Sequence, residues 1–193
     1  MNIVVTSLKG GVGKSTTSIY LAAAAVERGY DPVTLVDADP QASAAEWLET
    51  WPVEGITVVE APSERTAVRA MGRIDGVGIV DTPPGSERLT QSAVGVADVV
   101  VIPTRAGGVE YSRVVATLEL IPSSTPRGLV ICAARRGTND LEAAIDWWKS
   151  QRVEVWGVVP ERVGIAAGPE ARLNREGLTE YDAVLRRALR GWR

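Results

Sequence analysis

Two lysines and three glycines lie within a short segment near the start of the chain. Residues Lys9–Thr16 read Lys-Gly-Gly-Val-Gly-Lys-Ser-Thr. Glycines permit positive φ angles, so successive backbone N–H groups can turn inward toward an anion. In the phosphate-binding pattern Gly-x-x-x-x-Gly-Lys-Ser/Thr, Lys14 reaches the β- and γ-phosphates and the Ser15 hydroxyl ligates Mg²⁺. We therefore predict a phosphate-binding loop formed by Lys9, Gly10, Gly11, Val12, Gly13, Lys14, Ser15 and Thr16.

Carboxylates follow two apolar runs farther along the chain. Asp37 and Asp39 stand two residues apart after Val36, and Asp81 ends the run Ile79–Val80. Side chains two apart in an extended segment share one face. Paired carboxylates beside a phosphate loop suit a magnesium shell and the positioning of a water molecule. The simpler alternative for Asp39, which precedes Pro40, is the cap of a helix.

Composition excludes several kinds of chemistry. The chain of 193 residues contains no histidine and a single cysteine, Cys132. Ser-His-Asp triads, Cys-His pairs, histidine–zinc sites and internal disulfides are therefore impossible. The net charge of −3 predicts no attraction of the whole molecule to nucleic acid, so such binding would need a local basic patch.

Short β-branched runs alternate with helical stretches, which predicts a doubly wound, mostly parallel α/β sheet flanked by helices. We expect a single domain over residues 1–193. Ligands bind beyond the carboxyl ends of such strands, which is where the lysines and carboxylates above fall. The predicted strands are Asn2–Thr6, Thr34–Val36, Thr57–Glu60, Gly78–Asp81, Val99–Pro103, Gly128–Cys132 and Glu154–Val159. The predicted helices are Lys14–Arg28, Ala42–Glu49, Glu64–Arg73, Glu87–Gly95, Tyr111–Ile121, Asn139–Ser150, Ala166–Arg175 and Thr179–Arg190.

These motifs, in this order, resemble the ParA/MinD superfamily of ATPases, which have a deviant Walker A box and a P-loop NTPase fold. The resemblance rests on Lys9–Thr16, on Asp37-Ala38-Asp39-Pro40-Gln41, on Asp81-Thr82-Pro83-Pro84 and on the stretch Gly177–Tyr181. It is strongest to the short plasmid-type ParA partition ATPases.

The resemblance implies ATP and Mg²⁺ as cofactors and a homodimer that forms on ATP. By position, Lys9 crosses the dimer interface to the partner's phosphates, and Asp39 orients the hydrolytic water. Ser15, Asp37 and Asp81 would serve the metal, so the catalytic residues would be Lys9, Lys14 and Asp39. Pro160 and Glu161 resemble the late loop that borders the adenine. Many relatives carry a polar residue at the end of the sixth strand, where this chain reads Cys132-Ala133-Ala134-Arg135-Arg136, so the signal for the base pocket is weaker.

The basic C-terminus, Val184–Arg193, has three interpretations. Four arginines and no acid fit an amphipathic closing helix that packs Val184, Leu185, Ala188 and Leu189 inward. Trp192 beside arginines would also suit a helix on a membrane surface. A DNA-backbone patch, with Arg135, Arg136 and Arg152, is the third interpretation.

We expect a cytoplasmic, nucleoid-associated partition ATPase with neither a secretion signal nor an operator-reading helix-turn-helix. Its expected partners are non-specific DNA and a ParB-like or small ribbon-helix-helix protein that stimulates hydrolysis, while a membrane is not expected. The main alternative is a MinD-like positioning ATPase that acts at a membrane or a protein complex. A metabolic P-loop enzyme that phosphorylates a small substrate is the third hypothesis, although it leaves Lys9 without a role.

Overall fold

A computed structural model describes residues 1–166 and 168–190. Its centre is a seven-stranded sheet in the order β3-β2-β4-β1-β5-β6-β7, and every neighbouring pair is parallel. The predicted fold class is confirmed. The strands are β1 (Asn2–Val5), β2 (Val33–Asp37), β3 (Ile56–Glu60), β4 (Val77–Asp81), β5 (Val99–Thr104), β6 (Arg127–Ala134) and β7 (Val155–Pro160).

Helices cover both faces of this sheet, because alternate residues of the central strands point to opposite sides. Ile3 and Val5 of β1 pack in a core with α1, α2 and α8, while Val4 packs in a second core with α3, α4, α5 and α6. The strands are therefore apolar on both faces, as expected for a covered parallel sheet. The helices are α1 (Lys14–Glu27), α2 (Ser43–Thr50), α3 (Glu64–Met71), α4 (Glu87–Val94), α5 (Gly108–Glu119), α6 (Asn139–Ser150), α7 (Val163–Ala166) and α8 (Arg175–Ala188).

One predicted helix is wrong. The segment Ala166–Arg175 is not a single helix, since α7 ends at Ala166 and a 3₁₀ turn spans Gly168–Glu170. Gly168 has φ 55, a left-handed conformation that interrupts a helix. Helix α8 then begins at Arg175, four residues before the predicted start, because the Asn174 side chain accepts a hydrogen bond from the Gly177 N–H at 2.7 Å.

The closing helix packs its apolar face inward. Val184 and Leu185 of α8 are fully buried, and Ala188 and Leu189 are nearly so. This packing confirms the closing-helix interpretation for the described part of the C-terminus. Trp192 and Arg193 lie outside the described residues. Among the helices that are described, none combines the length and the apolar character needed to span a membrane.

Candidate functional site

The loop from Ser7 to Gly13 connects the carboxyl end of β1 to the start of α1. Gly11 and Gly13 have φ values of 70 and 95, and Gly13 is the N-cap residue of α1. No side chain caps this end of α1, so its first N–H groups face the loop without a side-chain acceptor. A backbone of this shape, with the positive end of a helix dipole behind it, suits a phosphate group.

Lys14 is nearly buried at the first position of α1, with 7% of its surface exposed. Its Nζ donates a hydrogen bond to the Lys9 carbonyl at 3.0 Å. Burial lowers the pKa of Lys14, against the opposing effect of the carboxylates of Asp81 and Asp39. The ammonium group is therefore surrounded by a protein carbonyl and carboxylates, and a phosphate would be a stronger counter-ion.

Asp81 ends β4 and is fully buried. Its Oδ1 accepts a hydrogen bond from the Ser18 hydroxyl of α1 at 3.1 Å, whereas Oδ2 is buried without a hydrogen-bond donor among the described residues. Burial raises the pKa of Asp81 to about 7, and the hydroxyl of Ser15 opposes that effect. A buried carboxylate oxygen with no donor, next to a serine hydroxyl, suits a cation or a cation-bound water.

Asp37 lies beside Asp81 in register on the adjacent strand β2. Its Oδ1 accepts from the Asp39 N–H at 3.0 Å, and its Oδ2 accepts from the N–H groups of Ala44 and Ala45 at 3.0 and 2.9 Å. Burial raises the pKa of Asp37, while these three N–H groups act against the rise. Both oxygens thus accept backbone hydrogen bonds, Oδ1 from the Asp39 loop and Oδ2 from the first turn of α2. This geometry favours a role for Asp37 in positioning the Asp39 loop, and its assignment to the metal stays a prediction.

Asp39 is only half buried and faces a cavity above the loop. Its Oδ1 accepts a hydrogen bond from the Gln41 N–H at 3.0 Å, and its Oδ2 accepts none from the described residues. The carboxylate belongs to the turn before α2, but the N-cap residue of α2 is Ala42. The helix-cap alternative for Asp39 is therefore wrong, and one of its oxygens is left free toward the cavity.

The cavity has a volume of about 470 Å³ and brings together many of the predicted site residues. Lys9 and Gly10 do not line it, and Asp37 and Asp81 lie outside its lining. The predicted residues that do line it are Gly11, Val12, Gly13, Lys14, Ser15, Thr16, Asp39, Pro160 and Glu161.

Lys9 is not among the residues that line this cavity. Its Nζ lies 3.9 Å from Glu110 Oε1 of α5, and its side chain is 42% exposed. The position at the rim is compatible with a lysine that acts outside its own subunit. The function of Lys9 across a dimer stays a prediction.

Several residues that line the cavity were not predicted from the sequence. Arg105 follows β5 and Arg162 follows β7, so the rule that ligands bind beyond strand ends could have identified both. Cys132 packs behind the loop, and a Cβ placed on Gly13 would lie 3.5 Å from its Sγ. Tyr181 comes from α8 and donates or accepts a hydrogen bond with Thr17 of α1 at 3.1 Å. No local sequence signal indicates Tyr181, because only packing of α8 on α1 brings it to the cavity.

The donor set fits Mg²⁺ bound together with a phosphate chain. Among the described residues, no group of three or more acidic, cysteine or histidine side chains could hold a metal alone. Magnesium often retains several waters and takes one or two protein ligands plus substrate phosphates. The Ser15 hydroxyl and the unpartnered Asp81 Oδ2 are sufficient for that arrangement.

The raised pKa of Asp81 predicts a pH-dependent stability for the protein without nucleotide. The pKa is about 7 in the folded state against an ordinary value of 3.8, so the folded protein binds this proton more tightly than the unfolded chain. The free energy of unfolding should therefore fall as pH rises from about 4 to about 7, by on the order of 2–4 kcal/mol. Urea unfolding across this range would measure the slope. Asp81→Asn should flatten it, and an equally steep profile in the variant would contradict a proton on Asp81.

Comparison with known proteins agrees with this geometry. Residues 3–174 match the family model described as the CobQ/CobB/MinD/ParA nucleotide binding domain. The match covers well over half of the chain, so the protein belongs to this family of nucleotide-binding proteins. The resemblance drawn from its motifs is thereby confirmed.

The chain is also similar to curated relatives within this family. It is 36% identical to Protein ParA of Rhizobium radiobacter over 123 residues, which is 62% of this chain and 55% of that protein. It is 30% identical to Maintenance of carboxysome distribution protein A of Gloeobacter kilaueensis over 190 residues, covering 95% of this chain and 76% of the relative. The chain thus spans about half of the first relative's length and three quarters of the second's.

Solved structures share the fold. A plasmid partition protein from Borrelia burgdorferi superposes with a TM-score of 0.74 at 19% identity, covering 98% of this chain and 97% of that one. The septum site-determining protein MinD of Pyrococcus horikoshii, complexed with Mg-ADP, gives a TM-score of 0.76 at 18% identity, with coverage of 95% and 93%.

Proposed function

We propose that the protein is a Mg²⁺-dependent ATPase that dimerises on ATP and partitions plasmid or chromosomal DNA. The observation that carries the proposal is the different location of the two loop lysines. Lys14 and Asp39 share one cavity, whereas Lys9 stands at the rim and leaves that cavity without a second lysine. A partner subunit facing this rim would supply its own Lys9.

The phosphate-binding loop and four polar side chains would each contribute to hydrolysis. The loop N–H groups and Lys14 bind and orient the phosphates, and Lys14 exchanges its hydrogen bond with the Lys9 carbonyl for the phosphate oxygens. The free oxygen of Asp39 orients the attacking water. Bound Mg²⁺ would be held by Ser15 and Asp81 and would neutralise charge on the phosphates. Hydrolysis by the isolated chain should be slow, because the constellation is incomplete until two subunits meet.

Non-specific DNA binding by the ATP-bound dimer is the second part of the proposal. Helices that follow parallel strands end at the opposite edge of the sheet from the nucleotide cavity. Arg187 and Arg190 at the end of α8, and Arg152 after α6, are exposed and form no ion pair with any described residue. Arg135 and Arg136 instead pair with Glu161 and Glu180, so they contribute less to a basic patch.

Retention on DNA tests this function. We expect ATP, but not ADP, to make the protein bind duplex DNA, with an affinity that falls steeply as salt rises. The Arg187→Ala/Arg190→Ala protein should weaken binding and reduce the slope of log K against log salt by about 2. The Arg65→Ala/Arg69→Ala protein is a matched control, because these arginines are equally exposed but lie on α3, at the opposite face of the sheet.

The second candidate is a positioning ATPase whose cargo is a protein complex. One relative, matched over 95% of this chain, is named for carboxysome distribution, and that similarity favours this alternative over a metabolic kinase. The alternative also includes a protein that acts at a membrane, and flotation with anionic liposomes, with ATP and with ADP, tests that form of it. Flotation on ATP without DNA retention would overturn the partition proposal in favour of a membrane-acting protein.

Under the partition proposal, the protein is cytoplasmic and nucleoid-associated, and a ParB-like or ribbon-helix-helix partner stimulates its ATP hydrolysis.

A further inference from the structure

The start of the phosphate loop is attached to helix α5. The Leu8 N–H donates a hydrogen bond to Thr117 Oγ1 at 3.2 Å, and Thr117 in turn donates to the Arg113 carbonyl at 2.7 Å. Thr117 is fully buried, so this contact is shielded from water. Helix α5 is therefore fixed against the start of the loop, although the two segments are about a hundred residues apart in sequence.

Glu110 projects from the first turn of α5 toward Lys9. Its side chain is only 16% exposed, and its Oε1 lies 3.9 Å from Lys9 Nζ. Its other oxygen, Oε2, is buried and receives no hydrogen bond from the described residues. A carboxylate withdrawn from water without donors costs free energy unless a cation compensates it. Within the part of the chain that the structure describes, Lys9 is the one cation in ion-pair contact with Glu110.

Both loop lysines are thus held by their own chain. Lys14 Nζ binds the Lys9 carbonyl, and Lys9 Nζ pairs with Glu110. A lysine that serves the phosphates of a second subunit must first leave Glu110. When Lys14 Nζ moves to a phosphate, the Lys9 carbonyl loses the hydrogen bond that it accepts from Lys14. Nucleotide binding and dimerisation therefore each break one contact of Lys9.

We propose that Glu110 is a positioning residue that retains Lys9 on its own subunit until nucleotide and a second subunit draw it away. The proposal rests on the proposed function, since it assumes that Lys9 acts across a dimer. By holding Lys9, Glu110 opposes the pairing of subunits that carry no nucleotide. A bound triphosphate offers Lys9 more negative charge than one carboxylate does, so Glu110 sets how much ATP is needed for dimerisation. The ion pair is long at 3.9 Å and its lysine is 42% exposed, so it contributes modestly, and removing it should change the ATP concentration needed for dimerisation about two- to fivefold.

The test uses the fact that the chain has only three lysines, Lys9, Lys14 and Lys149. An amine-reactive reagent followed by mass spectrometry can measure Lys9 labelling in the nucleotide-free protein, with exposed Lys149 as the internal reference. In the Glu110→Gln protein, we expect Lys9 labelling to rise about two- to fivefold and the ATP concentration for half-maximal dimerisation to fall by a similar factor. Glu119→Gln is the matched control, because Glu119 is an exposed glutamate of the same helix.

The possible results distinguish a failure of Lys9 retention by Glu110 from a failure of the proposed function. Unchanged Lys9 labelling in Glu110→Gln would overturn the retention of Lys9. Weaker dimerisation of that variant would also overturn it, and would place Glu110 among the groups that stabilise the dimer. If the wild-type protein fails to dimerise with ATP, the proposed function fails, while the labelling still tests the contact. Should Glu110→Gln not fold, by circular dichroism, the shorter carboxylate of Glu110→Asp should still raise Lys9 labelling above wild type.

Discussion

The Asp39→Ala protein is expected to bind ATP with nearly unchanged affinity and to hydrolyse it at least about 100-fold more slowly than wild type. Asp39 lines the cavity beside Lys14, and its Oδ2 accepts no hydrogen bond from the described residues. Removing it leaves the phosphate-binding loop and Lys14 intact, because none of their hydrogen bonds involves this side chain. ATP should therefore still assemble the dimer, which then persists.

Phosphate release and light scattering, measured on the same samples, would check both halves of this expectation. Asp146→Ala is a suitable control, since Asp146 is an exposed carboxylate of α6 that does not line the cavity. A variant that stays monomeric with ATP would show that the assignment of Asp39 is wrong. A variant that dimerises but hydrolyses at the wild-type rate would mean that another group orients the water.

The Lys9→Ala protein should lose ATP-dependent dimerisation while keeping ATP binding by the monomer. Truncating one partner of a desolvated charge pair at an interface costs at least about 2 kcal/mol, which corresponds to a dimer dissociation constant about 30-fold higher. Two copies of Lys9 act in each dimer, so the observed loss should exceed that value. DNA retention, which depends on the dimer under the proposal, should disappear with it.

The other two lysines make this experiment selective. Lys14→Ala should abolish nucleotide binding itself, because the Lys14 ammonium lies in the cavity and is nearly buried. Lys149→Ala should behave as wild type, since Lys149 is exposed on α6. Loss of ATP binding by the Lys9→Ala monomer would contradict action across the dimer, because it would show that Lys9 serves the nucleotide of its own subunit. Equilibrium binding of a fluorescent ATP analogue would decide between these outcomes.

The elements that carry the site could be predicted from the sequence because local signals define them. Strand β4 ends at Asp81 and helix α1 begins at Lys14, as expected from their apolar runs and from the glycines before Lys14. The segment after Ala166 could not be predicted in the same way. Its composition is compatible with a helix, but Gly168 adopts a positive φ and Asn174 caps a later helix. A distant residue also holds this segment, since the Asn174 N–H donates a hydrogen bond to the Tyr20 hydroxyl at 3.2 Å.

Residue type and order along the chain were sufficient to identify the nucleotide-binding family and to predict a glycine-rich loop and three aspartates at one edge of a parallel sheet. These features depend on neighbouring residues and on strand ends, both of which are local. Tertiary packing alone decided that Lys9 meets Glu110 and that Tyr181 reaches the cavity. The reason is physical: hydrogen bonds and ion pairs between distant segments depend on how helices pack against the sheet, and no local pattern encodes those distances.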